Sequence, residues 1–235
     1  MKKVSLLALC LVCSTMMFGQ QAETKKEKGK NTEIKPVLFK DRIILDFFSS
    51  TWFGLNDDVK QKAINFGFNG AVMFDIPAKK NSPFSFGLGL GVSNHNLHSN
   101  AVFGIGQGYT TITTPIVSNI DYTKNKISFT NLNIPLEFRY RHNRSGFKIS
   151  AGVRVGIIAD VHTKYFGHDP LGSATQLRIK NYKIPNKTKI PVEFTFRTGW
   201  KFVSLNVSYM VTKFFEEERG PAINPISFGI TLCPY

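Results

Sequence analysis

Hydrolytic chemistry needs a nucleophile, a base to take its proton and a third group to orient that base. In this sequence the residue types that could serve are Ser93, His95 and Asp160, with His98, His162 and His168 nearby along the chain. Ser93 and His95 close one apolar segment and Asp160 closes another, so a Ser93–His95–Asp160 arrangement is conceivable at a shared rim. No motif specific for a hydrolase surrounds them. His95 and His98 could share a metal ion, but two ligands without a third make a poor centre. No metal, no cofactor and no enzymatic activity are expected, and solvated loop histidines are the plainer reading.

Charge is the second source of chemistry. The formal net charge is +14, carried by 30 Lys and Arg against 16 Asp and Glu. So basic a chain suits a phosphate-rich partner, either nucleic acid or lipopolysaccharide. The first residues decide between them. Lys2 and Lys3 precede an apolar run from Val4 to Met17, then Phe18-Gly19-Gln20-Gln21 and a charged stretch. This is the layout of a secretory signal peptide, and the run is too short to span a bilayer. Export argues against nucleic acid. Residues 1–19 are therefore expected to be a signal peptide, cleaved near Gly19, and 20–41 a basic, flexible periplasmic segment that includes Lys25 to Lys30. Loss of Lys2 and Lys3 lowers the charge by two, from +14 to +12. Loss of Cys10 and Cys13 leaves Cys233 without a disulfide partner, which excludes a disulfide-stapled scaffold.

The elements that must position these groups follow from alternation. In Phe84-Ser85-Phe86-Gly87-Leu88-Gly89-Leu90-Gly91-Val92 large apolar and small residues take turns, which fits a strand with one greasy face and no helix. Similar segments run over Phe66–Ile76, Leu132–Tyr140, Phe147–Ile157, Val192–Trp200, Val203–Tyr209 and Ile226–Leu232, with a less regular one at Arg42–Trp52. That makes eight. Short turns near Lys79–Ser82, His142–Gly146 and Thr198–Lys201 alternate with long connections at Phe53–Ile64, Asn94–Lys126, His162–Ile190 and Lys213–Ile223. Short turns on one side and long loops on the other predict an all-β, antiparallel, eight-stranded up-and-down transmembrane barrel over 42–235, placed in the outer membrane. No stretch after the leader is long and apolar enough for a transmembrane helix.

Closure into a barrel satisfies every backbone polar group in lipid, and eight strands leave an interior that side chains can fill. By the alternation that interior holds Asp46, Asp75, Glu137, Asp160 and Glu193 against Arg139, Arg141, Lys148, Arg154 and Arg197, a paired network that plugs the lumen rather than conducting. Tyr140, Phe147, Trp200, Phe202 and Tyr209 are candidate interfacial aromatics. Phe214 and Phe215, ahead of three glutamates, read as a further interfacial anchor. In the connection from His162 to Ile190, Lys164, Arg178, Lys180 and Lys183 are candidates for contacting lipopolysaccharide phosphates.

Leu132-Asn133-Ile134-Pro135-Leu136-Glu137-Phe138-Arg139-Tyr140-Arg141 resembles the strand "IPL-x-φ-x-Y-R", with φ apolar, of small outer-membrane barrels of the Bacteroidota, and Leu88–Val92 and Phe147–Val153 look like their glycine-rich strands. The resemblance spans Arg42 to Tyr235 at the level of pattern and includes the PorT-like proteins, some tied to type IX secretion. It implies a non-enzymatic barrel, with other envelope or secretion proteins as partners. Ile226, Phe228, Ile230, Leu232 and Tyr235 resemble the terminal signal read by the barrel insertion machinery, with Pro234 breaking its alternation. A stand-alone structural or adhesive barrel and a lipid A-modifying barrel enzyme remain as alternatives.

Overall fold

The computed structural model describes residues 42–79, 82–116, 120–142, 145–169, 175–182 and 184–234. The expected leader and basic segment lie outside the described residues, as do Lys183 and Tyr235.

Lipid outside and polar side chains inside demand a period of two, and the chain supplies it in strand after strand. The strands are β1 (Ile43–Phe53), β2 (Phe66–Pro77), β3 (Phe84–His98), β4 (Ala101–Ile105), β5 (Thr111–Pro115), β6 (Tyr122–Arg141), β7 (Phe147–His168), β8 (Gln176–Asn181), β9 (Val192–Trp200), β10 (Val203–Met210) and β11 (Asn224–Leu232). Hydrogen bonding runs β6-β3-β2-β1-β11-β10-β9-β7, and β6 pairs with β7 to close the ring. All of these pairs are antiparallel. The result is a closed eight-stranded barrel, with β8 as an outer extension of β7 and β4–β5 as a separate hairpin.

The outward set of β3, Phe84, Phe86, Leu88, Leu90 and Val92, is exposed, and so is Leu132, Ile134, Leu136 and Phe138 of β6. An apolar face of this height is the lipid-facing belt. The short connections all leave from one end of it, and the long ones from the other.

Above the belt the polarity inverts. In β3 the inward side chain is now Leu97, while Asn94, Asn96 and His98 point out; in β6 the inward residues are Ile127 and Phe129. The strands thus continue well past the membrane and enclose an apolar core of Trp52, Leu97, Ile127, Phe129, Val161 and Phe214. The expected long loop at Asn94–Lys126 is largely strand and that at His162–Ile190 is nearly half strand: β3 and β7 run on, β6 starts early, and β4, β5 and β8 fill part of what remains. The apolar residues sit on the opposite face there, so an outward-greasy pattern does not register them. Phe214 and Phe215 are correspondingly buried in this core, edge to face at 4.9 Å, and are not an interfacial anchor.

Asp160 also departs from expectation. Thr130 pairs with Asp160 but Asn131 pairs with Ile158, so Ala159 is an extra residue in β7. A bulge shifts the side-chain alternation by one. Ile158 and Val161 therefore face inward, while Asp160 turns out of the lumen network and lies 2.7 Å from His162 Nδ1.

Candidate functional site

Three places bring chemistry-bearing side chains together: the lumen, the junction beneath the apolar core, and the outer face above the belt.

In the lumen Arg197 of β9 is the hub. Its Nε and Nη2 donate to the carboxylate of Asp46 on β1 at 3.2 and 2.9 Å, and Nη1 donates to Glu137 on β6. Glu137 also accepts from Arg139 Nε at 2.9 Å, and Arg139 Nη1 reaches Asp75 on β2 at 2.5 Å. Asp46 takes further hydrogen bonds from Asn69 (2.8 Å) and Thr231 (2.6 Å). Higher up, Arg154 Nη2 lies 3.1 Å from Glu193 Oε2. Asp46, Glu137, Glu193, Arg139, Arg154, Arg197 and Lys148 are all buried. At the short-turn mouth a cavity between Asp75, Glu137, Arg139 and Arg197 measures about 40 Å³. That is room for a water or so, too little for a solute path.

At the junction His95 is buried, 1% exposed, stacked on Phe129 (4.7 Å, rings 3° from parallel) and tilted against Phe48. Ser50 Oγ lies 3.3 Å from its Nδ1, and Glu193 Oε1 lies 3.6 Å from its Nε2. A serine, a histidine and a carboxylate are thus in line, but Ser50 is fully enclosed and bonded to Ser227 at 2.7 Å. No substrate could reach it in this conformation. The serine and carboxylate considered from sequence do not join this histidine. Ser93 faces in and bonds Asn133, while Asp160 faces out. His95 and His98, an odd number of residues apart on one strand, point to opposite faces, which is incompatible with a shared metal. Among the described residues no cluster of three or more metal-ligating groups occurs.

Outside, above the belt, the registers assemble a basic array. His98 pairs with Lys126, Lys126 with Lys164, and Lys164 with Lys180, one row across four strands. In the next row Lys124 pairs with Phe166 and Phe166 with Arg178, whose guanidinium lies 5.5 Å from that ring. Lys124, Lys164, Phe166, Arg178 and Lys180 border a cleft of about 340 Å³. Partial burial, Lys124 and Lys164 hold the Lys126 ammonium below its ordinary value. Burial, with Lys126, Lys62 and Lys124, does the same to His98. Lys164, Arg178 and Lys180 were visible as loop cations, whereas Lys62, Lys124, Lys126 and His98 come from other segments and only register reveals them.

The aromatic candidates sit at the belt edges. Phe147 and Trp200 form a cross-strand pair, Phe202 occupies the adjoining turn, and Tyr140 packs on Phe84 at 5.1 Å, all at the short-turn end. Tyr209 is half-exposed at the opposite end of β10.

A family model described as outer membrane protein beta-barrel domain matches residues 45–216, which takes in every strand of the ring but β11. The chain belongs to this outer membrane β-barrel family. It is an outer-membrane protein. Short turns then face the periplasm, and the extended strands face the exterior. Among solved structures the barrel is similar to Ail, the attachment invasion locus protein of Yersinia pestis, solved in complex with the heparin analogue sucrose octasulfate. Identity is 12%, coverage 81% of this chain and 95% of that one, and the TM-score 0.39. No curated protein matches the chain.

Proposed function

We propose that this barrel is a non-enzymatic, non-conducting platform that holds folded β-structure above the outer membrane for contact with other envelope components. The observation that carries the reading is the double closure of the barrel. The Arg197 network fills the lumen at membrane level, and the Trp52–Phe129–Phe214 core fills it above. A channel would need an open interior, and a hydrolase would need Ser50 or His95 within reach of substrate; both are enclosed. Among the surfaces the fold leaves accessible above the belt are the exterior of β6, β7 and β8 and the outward side of the β4–β5 hairpin.

The resemblance of Leu132–Arg141 to PorT-like strands supports a specific form of this reading, in which the partners are subunits of a type IX secretion apparatus. Pull-down of the tagged protein from outer membranes in mild detergent, with mass spectrometry, tests it. Stoichiometric recovery of envelope subunits is the expected result. A barrel recovered alone overturns the platform reading and leaves a stand-alone structural role. In planar bilayers the wild-type protein is expected to give no unitary current.

A further inference from the structure

The geometry points to a binding site for a phosphorylated glycolipid of the outer leaflet on the outer face of the barrel around β3, β6 and β7, with acyl chains in a belt groove and phosphates on the basic rows above it. This inference does not depend on the platform reading.

The groove comes from one missing side chain. At the top of the belt the registers line up Leu45, Gly70, Val92, Leu132 and Ile157 as a single row across five strands. Four are large and exposed; Gly70 leaves a notch, and Ile43, Val72 and Val155 line the row beneath. The depression is about 860 Å³ and almost wholly apolar. An elongated hydrocarbon fits such a surface, and a polar ligand would leave its hydrogen bonds unmet.

The charge lies above the β6–β7 end of this row, on β6, β7 and the adjoining β8, whereas above Gly70 itself β2 continues with exposed Phe68 and Phe66. Six residues separate Leu132 from Lys126 on β6. At about 3.4 Å per residue and a tilt near 40°, that is roughly 15 Å along the membrane normal. The interval is occupied by Asn94, Asn96 and Thr130 on the outer face, a polar band with the depth of a sugar layer. Above it the Lys126–Lys164–Lys180 row puts like charges directly opposite one another, which costs stability that an anion among them would offset; the partners of Lys126 and Lys180 there, Asn96 Oδ1 at 2.6 Å and the Tyr182 ring at 4.2 Å, are neutral. The neighbouring carboxylate, Asp160, is already engaged by His162. An apolar groove running from the Gly70 notch to Ile157, a polar band above its β3–β6 part and a cation array further along β6, β7 and β8 match a lipid bearing phosphorylated sugars. A soluble polyanion would have no use for the notch.

The test uses the full chain folded in detergent, with native mass spectrometry against purified lipopolysaccharide, its dephosphorylated form and tripolyphosphate. Heat-modifiable migration on gels checks that each variant is folded. One variant combines Lys126→Gln, Lys164→Gln and Lys180→Gln. The other is Gly70→Leu, whose added Cβ meets nothing closer than Leu45 Cδ2 at 3.8 Å. The triple variant should bind lipopolysaccharide about ten- to a hundred-fold more weakly, as should the dephosphorylated lipid to wild type. Gly70→Leu should weaken lipopolysaccharide while leaving tripolyphosphate unchanged. Unaltered binding by the triple variant overturns the proposal. If Gly70→Leu has no effect and tripolyphosphate competes completely, the surface binds anions but not glycolipid, and the proposal also fails.

Discussion

Arg197 and Asp46 stand 151 residues apart in sequence and meet inside the barrel through two hydrogen bonds, of 3.2 and 2.9 Å. Their pairing couples β9 to β1 across the lumen and leaves neither charge uncompensated. Removing one partner of a buried pair is far worse than never having had it, because the other is left charged and dry. Arg197→Leu removes the guanidinium from Asp46 and leaves Glu137 with Arg139 alone, and should lower stability by about 3–5 kcal/mol in urea unfolding from micelles. Adding Asp46→Asn and Glu137→Gln should restore part of that loss. A single variant as stable as wild type would show that the network contributes nothing.

Phe214 lies at the centre of the extracellular core, 5.1 Å from Trp52 and 4.9 Å from Phe129 between ring centres. Truncating a buried phenylalanine forfeits its burial and leaves a cavity, about 3–5 kcal/mol. Phe214→Ala should therefore loosen the upper strands and raise the rate of protease cleavage within residues 99–122. Phe202→Ala, at an exposed turn, should change cleavage little. Equal susceptibility of the two variants would contradict the core described here.

Sequence patterning exposed the membrane ring well, because in the belt one solvent lies outside and another inside, so Leu132 to Phe138 or Leu205 to Tyr209 alternate cleanly. It failed where that contrast reverses. Leu97, Phe129 and Phe214 are as apolar as belt residues but face inward, so the end of β3 and the start of β6 carry no outward-greasy pattern and Phe214 reads as a membrane anchor. It failed again at Ala159, where one inserted residue carried Asp160 out of the lumen; nothing in the composition of β7 marks a bulge. The basic array was half visible. Lys164, Arg178 and Lys180 share one connection, but their alignment with Lys126 and His98 depends on registers between strands far apart in sequence.

Gly229 of β11 sits where the last strand meets the first. A Cβ there would fall 2.0 Å from the Phe47 carbonyl oxygen and 2.6 Å from Phe48 Cα, both backbone atoms of β1. Backbone cannot yield as a flexible side chain does, so even alanine must push the closing pair apart. Gly229→Ala should reduce the heat-modifiable, folded fraction on gels, whereas Gly70→Leu, facing open space, should not. A fully folded Gly229→Ala protein would mean that the β1–β11 seam has slack that the packing does not show.

His98 offers a pH test of the outer array. Its Nδ1 lies 3.3 Å from Asn65 Oδ1, and Lys126, Lys62 and Lys124 together with partial burial hold its proton affinity below the ordinary value of 6.5. The sign follows. Between 6.5 and the lower folded value the unfolded chain binds more protons than the folded one, so stability falls as pH drops through that window. The effect is modest, because His98 remains partly exposed to solvent and to screening ions. His98→Asn should flatten the decline in urea midpoint between pH 7.5 and pH 5.5. An anion seated among Lys124 and Lys126 would offset the repulsion, so tripolyphosphate should move the His98 midpoint in NMR titrations upward. A midpoint that does not move with saturating tripolyphosphate would place any bound phosphate away from this row.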